Sequence, residues 1–101
     1  DGMRPAQSAA IEALEEAGVE GKLHDFSIGV YSYTKNHVSG RALPCVGIVY
    51  PLKVKRIHER YREVNQRKRK WFSLAQAAHK VSEPELAHII LNFEPNKIPI
   101  A

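Results

Sequence analysis

The chain holds a single cysteine, Cys45, so it can form neither an internal disulfide nor a cysteine zinc cluster. That scarcity agrees with a reducing compartment, and the expected location is the cytoplasm. No apolar run approaches the roughly 18 residues of a membrane span, and the opening DGMRPAQSAA lacks the basic and apolar blocks of a secretory signal. There is no glycine-rich phosphate loop, because Gly29, Gly40 and Gly47 stand alone. The histidines His24, His37, His58, His79 and His88 show no metal-ligand spacing and no HExxH arrangement. Internal repeats and low-complexity linkers are also missing. Aromatic residues make up only 8% of the chain, and Trp71 and Phe72, which introduce a helix, are expected in the core rather than on a base-stacking surface. Cys45 falls within an apolar run without an activating neighbourhood and is expected to be a buried structural cysteine.

What is present is a chain of 101 residues, 44% apolar and 26% charged, the balance of a globular protein with a core and the length of one domain, residues 1–101. The net charge of +4 is unevenly spread. Between Lys53 and Lys70 lie nine basic residues against Glu59 and Glu63, a local charge of +7, while the rest of the chain is mildly acidic. Such a segment is either a solvated face or a site for a polyanion.

Hydrophobic periodicity and breaker residues outline the elements. PAQSAAIEALEEA, residues 5–17, has alanines at helical spacing, Pro5 in the first turn and Gly18 just past the last, so a helix with a small-residue buried face is expected. FSIGVYSYT (26–34) and PCVGIVYPLKV (44–54) read as strands joined by a hairpin loop, the second ending, bulging or lying at an edge at Pro51. Residues 56–65 are ambiguous. Lys70 to Phe72 is expected as a short strand, Ser73 as the N-cap of the helix LAQAAHKV, and PELAHIILNF as a last helix before an extended tail.

On the first helix, Glu12, Glu15 and Glu16 stand at i, i+3 and i+4 and so share one face. Like charges at that spacing repel, which makes the cluster mildly costly unless a cation neutralises it. Carboxylate oxygens without histidine or cysteine suit Mg²⁺ or Mn²⁺ better than zinc. A solvated acidic face is the plainer explanation of the same three residues.

The segment AAIEALEEAGV, residues 9–19, resembles the second half of the Nudix box, G-x5-E-x7-R-E-U-x-E-E-x-G-U with U apolar. Glu12, Ala13, Glu15, Glu16, Gly18 and Val19 fall where that pattern asks. Downstream, QRKRKWFSLAQAA (66–78) resembles the diphosphoinositol polyphosphate phosphohydrolase branch and its bacterial relatives. Ile11 occupies the position of the box arginine, Met3 that of its first glutamate, and the leading glycine would precede Asp1. The resemblance implies an α+β fold, a Nudix-type α/β/α sandwich with a mixed sheet whose N-terminal strands are missing from the chain.

It further implies a pyrophosphohydrolase in which Glu12 and Glu16 hold Mg²⁺ or Mn²⁺ and Glu15 acts as general base. Glu63 would be either a further metal ligand or a surface partner of Arg60 or Arg67. Arg67 and Arg69 are the expected polyphosphate clamp, on the view that an extended RKRKW points both to one face, with Lys35 and Arg41 as outer contacts. The substrate expected is a small polyphosphate, either a dinucleoside polyphosphate or a diphosphoinositol polyphosphate. Glu83, where the inositol branch carries a basic residue, argues against strict specificity for the latter. No membrane partner is expected, and a homodimer is allowed. Two rival readings are a catalytically weak Nudix-like binding module, suggested by Ile11 and Met3, and a nucleic-acid-binding domain using residues 53–70.

Overall fold

The computed structural model describes residues 4–97. Met3 and residues 98–101 of the tail lie outside them. The elements run α1 (Pro5–Ala17), β1 (Val19–Leu23), β2 (Gly29–Asn36), β3 (Ala42–Val49), β4 (Leu52–Ile57), α2 (Leu74–Lys80), α3 (Pro84–Leu91) and a 3-10 turn at Pro95–Lys97. The class is α+β, as expected, and both strand pairs seen among the described residues are antiparallel.

The chain divides into two compact units. One comprises the residues up to Ser27, Tyr50–Trp71 and those from Pro95 onward, and is built on α1 and the β1–β4 pair. Helix α1 begins at Pro5, whose missing N–H costs nothing in a first turn, and the Arg4 N–H donates to Gln7 Oε1 at 3.1 Å. It buries Ala6, in keeping with its small-residue face, and packs against β1. It ends at Gly18, which is left-handed at φ 66° and ψ 27°, so that a residue with a Cβ there would be strained. The chain passes from that glycine directly into β1 with no intervening loop.

Strand β1 was not legible in the sequence. VEGKL has two charged residues and a glycine, and becomes a strand through its pairing with β4, from Val19↔Ile57 to Leu23↔Leu52. The register shifts between Glu20 and Gly21, which marks a β-bulge. The long apolar run 44–54 also divides: β3 stops at Val49, Pro51 is buried between strands with its carbonyl accepting from His24 N–H at 3.3 Å, and β4 starts at Leu52. Proline lacks the N–H that a continuous ladder would need there.

The second unit, Ile28–Val49 with Phe72–Glu94, is a hairpin carrying two helices. Strands β2 and β3 pair in register from Gly29↔Val49 to Asn36↔Ala42, close to the expected hairpin. Exposure alternates along β2, Tyr31 and Tyr33 being half-buried while Val30 and Ser32 are exposed. Helix α3 lies on β2: Ile89 stands over Gly29, and the Ser32 N–H donates to Glu85 Oε1 at 2.7 Å. Ser73 caps α2 as expected, its hydroxyl accepting from the Gln76 N–H at 3.1 Å while Gln76 Oε1 accepts from the Ser73 N–H.

Four expectations need correction. Residues 70–72 form no strand, and the tail at Pro95–Lys97 is a 3-10 turn rather than extended. Trp71 is 70% exposed and Phe72 38%, not core, because a segment without strand partners offers its side chains no opposing sheet face. Cys45 is half-buried rather than buried, its thiol donating to the Leu43 carbonyl at 3.6 Å. No helix among the described residues is long and apolar enough to cross a membrane.

A pH-sensitive contact joins β1 to the end of β4. His58 Nε2 donates to Glu20 Oε1 at 2.8 Å, and Arg56 stands 3.9 Å from the same oxygen. The hydrogen bond from His58 holds the Glu20 carboxyl below its usual 4.5, with desolvation opposing it and the Arg56 and His58 charges adding smaller contributions in the same direction as the hydrogen bond. A carboxyl whose pKa is lower folded than unfolded stabilises the fold above its unfolded pKa, and that contribution disappears as the pH falls through the folded value. Glu20→Gln should therefore lower stability near neutrality, where the ionised carboxyl contributes, and flatten the acid limb as the pH falls below the ordinary carboxylate range, followed by denaturant melts at each pH. An acid limb identical to that of the wild type would show that the pair contributes nothing.

Candidate functional site

The acidic face of α1 lies within the first unit, and the segment after β4 folds against it. The Glu63 N–H donates to the Glu15 carbonyl at 3.0 Å and the His58 N–H to the Gly18 carbonyl at 2.7 Å, so backbone contacts pin residues 58–63 beside the last turn of the helix. Around Glu63 the chain turns tightly, with the N–H groups of Gln66 and Arg67 both donating to the Glu63 carbonyl at 2.9 and 3.1 Å. This turn returns Arg67 to the helix.

Arg67 then bridges two carboxylates. Its Nε donates to Glu63 Oε1 at 2.6 Å, and its Nη2 lies 3.4 Å from Glu16 Oε1. The hydrogen bond to Glu63, and then the charges of Glu16 and Glu63, raise the Arg67 guanidinium above its already high value. Arg62 Nη1 donates to Glu15 Oε2 at 3.2 Å. Arg69 Nη1 donates to the Ala17 carbonyl at 2.8 Å and its guanidinium lies 4.7 Å over the Tyr61 ring, so a cation neutralises the exposed carbonyl end of α1. Glu12, one turn before Glu16, is exposed and takes no part in these pairs.

Three arginines thus gather on one helix end, and the repulsion within the glutamate cluster is offset by cations from the protein itself. Arg67 and Arg69 do reach the same helix, by a turn and an irregular segment rather than by strand alternation. Lys35 and Arg41 belong to the hairpin of the second unit, where Lys35 pairs in register with Leu43 and the Arg41 carbonyl accepts from the His37 N–H at 2.9 Å. Arg62 and Tyr61 were missed in the sequence. Nothing local links Arg62 to a glutamate 47 residues earlier.

Beside this end of α1 is a hollow of about 340 Å³ lined by Ala17, Val19, Ile57, Arg69, Lys70 and Trp71. Its volume is within the range of small-molecule pockets, and its lining combines apolar walls with two cationic side chains.

Among the described residues no three His, Cys, Asp or Glu side chains converge closely enough to enclose a metal ion by themselves. A hard divalent cation still fits the donor set. Glu16 and Glu63 already meet at one positive group, and Mg²⁺ commonly keeps several waters while bound by only one or two carboxylates.

No family model matches the chain, and no solved structure matches it. Two curated proteins do. The chain is 34% identical over 74 residues to Nudix hydrolase 12, mitochondrial, of Arabidopsis thaliana, covering 70% of this chain and 36% of that protein. It is 35% identical over 81 residues to Nudix hydrolase 16, mitochondrial, of the same plant, covering 77% of this chain and 44% of that protein. The matches thus span less than half the length of these relatives. With the box residues from Glu12 to Val19 assembled on α1 and its glycine turn, the chain belongs to the Nudix hydrolase family.

Proposed function

We propose that the protein is a metal-dependent pyrophosphohydrolase that cleaves a phosphoanhydride bond in a small polyphosphate, a dinucleoside polyphosphate or a diphosphoinositol polyphosphate. The observation that carries this reading is the glutamate face of α1, with Glu16 and the loop residue Glu63 converging on one cation. Residues 1–101 are taken as part of one Nudix domain. The cytoplasm is its proposed location, on the strength of the lone cysteine.

Glu12 and Glu16 would hold Mg²⁺ or Mn²⁺, and Glu63 would join them. The ion would supply charge neutralisation at the phosphoanhydride and a more acidic bound water. Glu15 takes the proton from the attacking water as general base, a role worth roughly 10²–10⁴ in rate. Its carboxylate is held by Arg62, which limits the directions it can face. Arg67 and Arg69 bind the phosphates, arginine's planar fork matching phosphate oxygens in pairs. Lys35 and Arg41 join the substrate-binding set on their charge alone. The apolar hollow beside Arg69 would take a base or another non-phosphate part of the substrate, which favours the dinucleoside class.

The test is hydrolysis of diadenosine polyphosphates and of inositol pyrophosphates, each with Mg²⁺ and with chelator. Turnover of at least one class is expected with Mg²⁺ and none with chelator. Metal-independent turnover would overturn the proposal. Binding measured by calorimetry without turnover would favour a non-catalytic Nudix-like module, the reading motivated by Ile11, which is 44% exposed at the position of the box arginine.

A further inference from the structure

A phosphate at Arg67 would compete with the contacts its guanidinium already makes through Nε and Nη2. As folded, Arg67 is committed to Glu16 and Glu63, at 3.4 and 2.6 Å, whereas a phosphate clamp needs the same N–H groups free. The two carboxylates come from different parts of the chain, α1 and the turn after β4, which the bond from the Glu63 N–H to the Glu15 carbonyl holds side by side. Across that junction the arginine offsets the repulsion between the two carboxylates. The pair is accessible, since Arg67 is 54% exposed, Glu16 39% and Glu63 24%, so the bridge can open without unfolding its surroundings. Arg69 differs: its guanidinium is occupied by the Ala17 carbonyl and the Tyr61 ring, neither of which a metal ion would compete for.

We propose that Arg67 is an internal counterion that exchanges with the divalent metal: the metal takes Glu16 and Glu63, and the released guanidinium turns to the anionic substrate. This rests on the proposed metal dependence of the site. Without metal, the guanidinium keeps the two carboxylates at one point and blocks the phosphate-binding position it would otherwise supply. With metal, the carboxylates are neutralised by the ion and lose most of their attraction for the arginine. Metal loading and readiness for a polyphosphate are thereby linked through one side chain. The exchange is local and electrostatic, so it should weaken in high salt.

The test measures Mn²⁺ binding directly by electron paramagnetic resonance, in the absence of substrate. Arg67→Ala should bind Mn²⁺ about threefold to tenfold more tightly than the wild type, the scale of two half-exposed ion pairs removed from competition. Arg67→Lys, which keeps the charge but not the fork, should fall between them. Arg56→Ala, which removes an equal charge paired instead with Glu20, measures the general electrostatic effect and should give a smaller gain. In ¹⁵N-labelled wild-type protein, the Arg67 Nε–H resonance should shift with the same midpoint as Mg²⁺ binding, which keeps the proposal testable should Arg67→Ala fail to fold. Equal or weaker Mn²⁺ binding by Arg67→Ala, or an Nε–H signal unmoved at Mg²⁺ saturation, would overturn the exchange while leaving a metal enzyme standing. If no variant and no wild-type protein binds Mn²⁺, the metal-dependent hydrolase falls and the exchange falls with it.

Discussion

Glu16→Gln should lower hydrolysis by at least about a hundredfold, the scale of losing several kcal/mol of metal-supplied charge stabilisation, while the protein stays folded. Glutamine is nearly isosteric with glutamate, forms helices about as well, and its side-chain oxygen can still accept from Arg67. The position is a half-exposed helix face, so the change in stability should stay within about 0.5 kcal/mol. What is removed is the negative charge, which a divalent ion needs and an arginine hydrogen bond does not. The informative comparison is the rate at saturating Mg²⁺ beside a melt of the same sample. Undiminished turnover in Glu16→Gln would exclude it from the metal site. Glu12→Gln should behave in the same way if both glutamates hold the ion, and a loss confined to Glu16 would transfer the second role to Glu63.

Gly21→Ala should cost about 2–3 kcal/mol of stability, more than any other single methyl group added to the first unit, through forced backbone movement. Gly21 follows the bulge in β1 and pairs with Val54. A Cβ at this position would overlap the Lys53 carbonyl oxygen and lie 2.8 Å from Lys55 N, both backbone atoms of β4. Gly18 makes a useful contrast, since the Cβ of a residue there would meet the Tyr61 ring and the Arg69 guanidinium, side chains that can move. Its cost comes from the left-handed backbone and should be nearer 1 kcal/mol. Because β1 leads directly out of the glutamate helix, Gly21→Ala should also reduce activity, and thermal melts with rate measurements below the transition separate the two effects. A melt unchanged by Gly21→Ala would show that β1 and β4 can separate at no cost.

Local chemistry made the helices legible. Pro5 and Gly18 bracket α1 and its alanines set one face, Ser73 and Gln76 cap α2, and Pro84 opens α3; each signal acts within a few residues, where chain connectivity already places the partners. The β2–β3 hairpin was readable for the same reason, with a short loop joining two β-branched and aromatic runs. Strand β1 was not, because VEGKL carries a weak intrinsic signal and is made a strand by β4, about thirty positions away. Trp71 was misread for a related reason: it was expected in the core because it introduces a helix, yet residues 70–72 find no strand partner and leave its ring 70% exposed.

The candidate site divides along the same line. By themselves the residues determined that Glu12, Glu15 and Glu16 share a helix face, because helical spacing alone requires it, and that a basic segment stood available to an anion. Only the tertiary structure decided which cation meets which carboxylate: Arg62 with Glu15, Arg67 with Glu16 and Glu63, and Arg69 with the end of the helix. The physical reason is that charge is visible in composition but attraction depends on distance, and these distances are set by the turn at residues 61–67 and its backbone bond from Glu63 to Glu15.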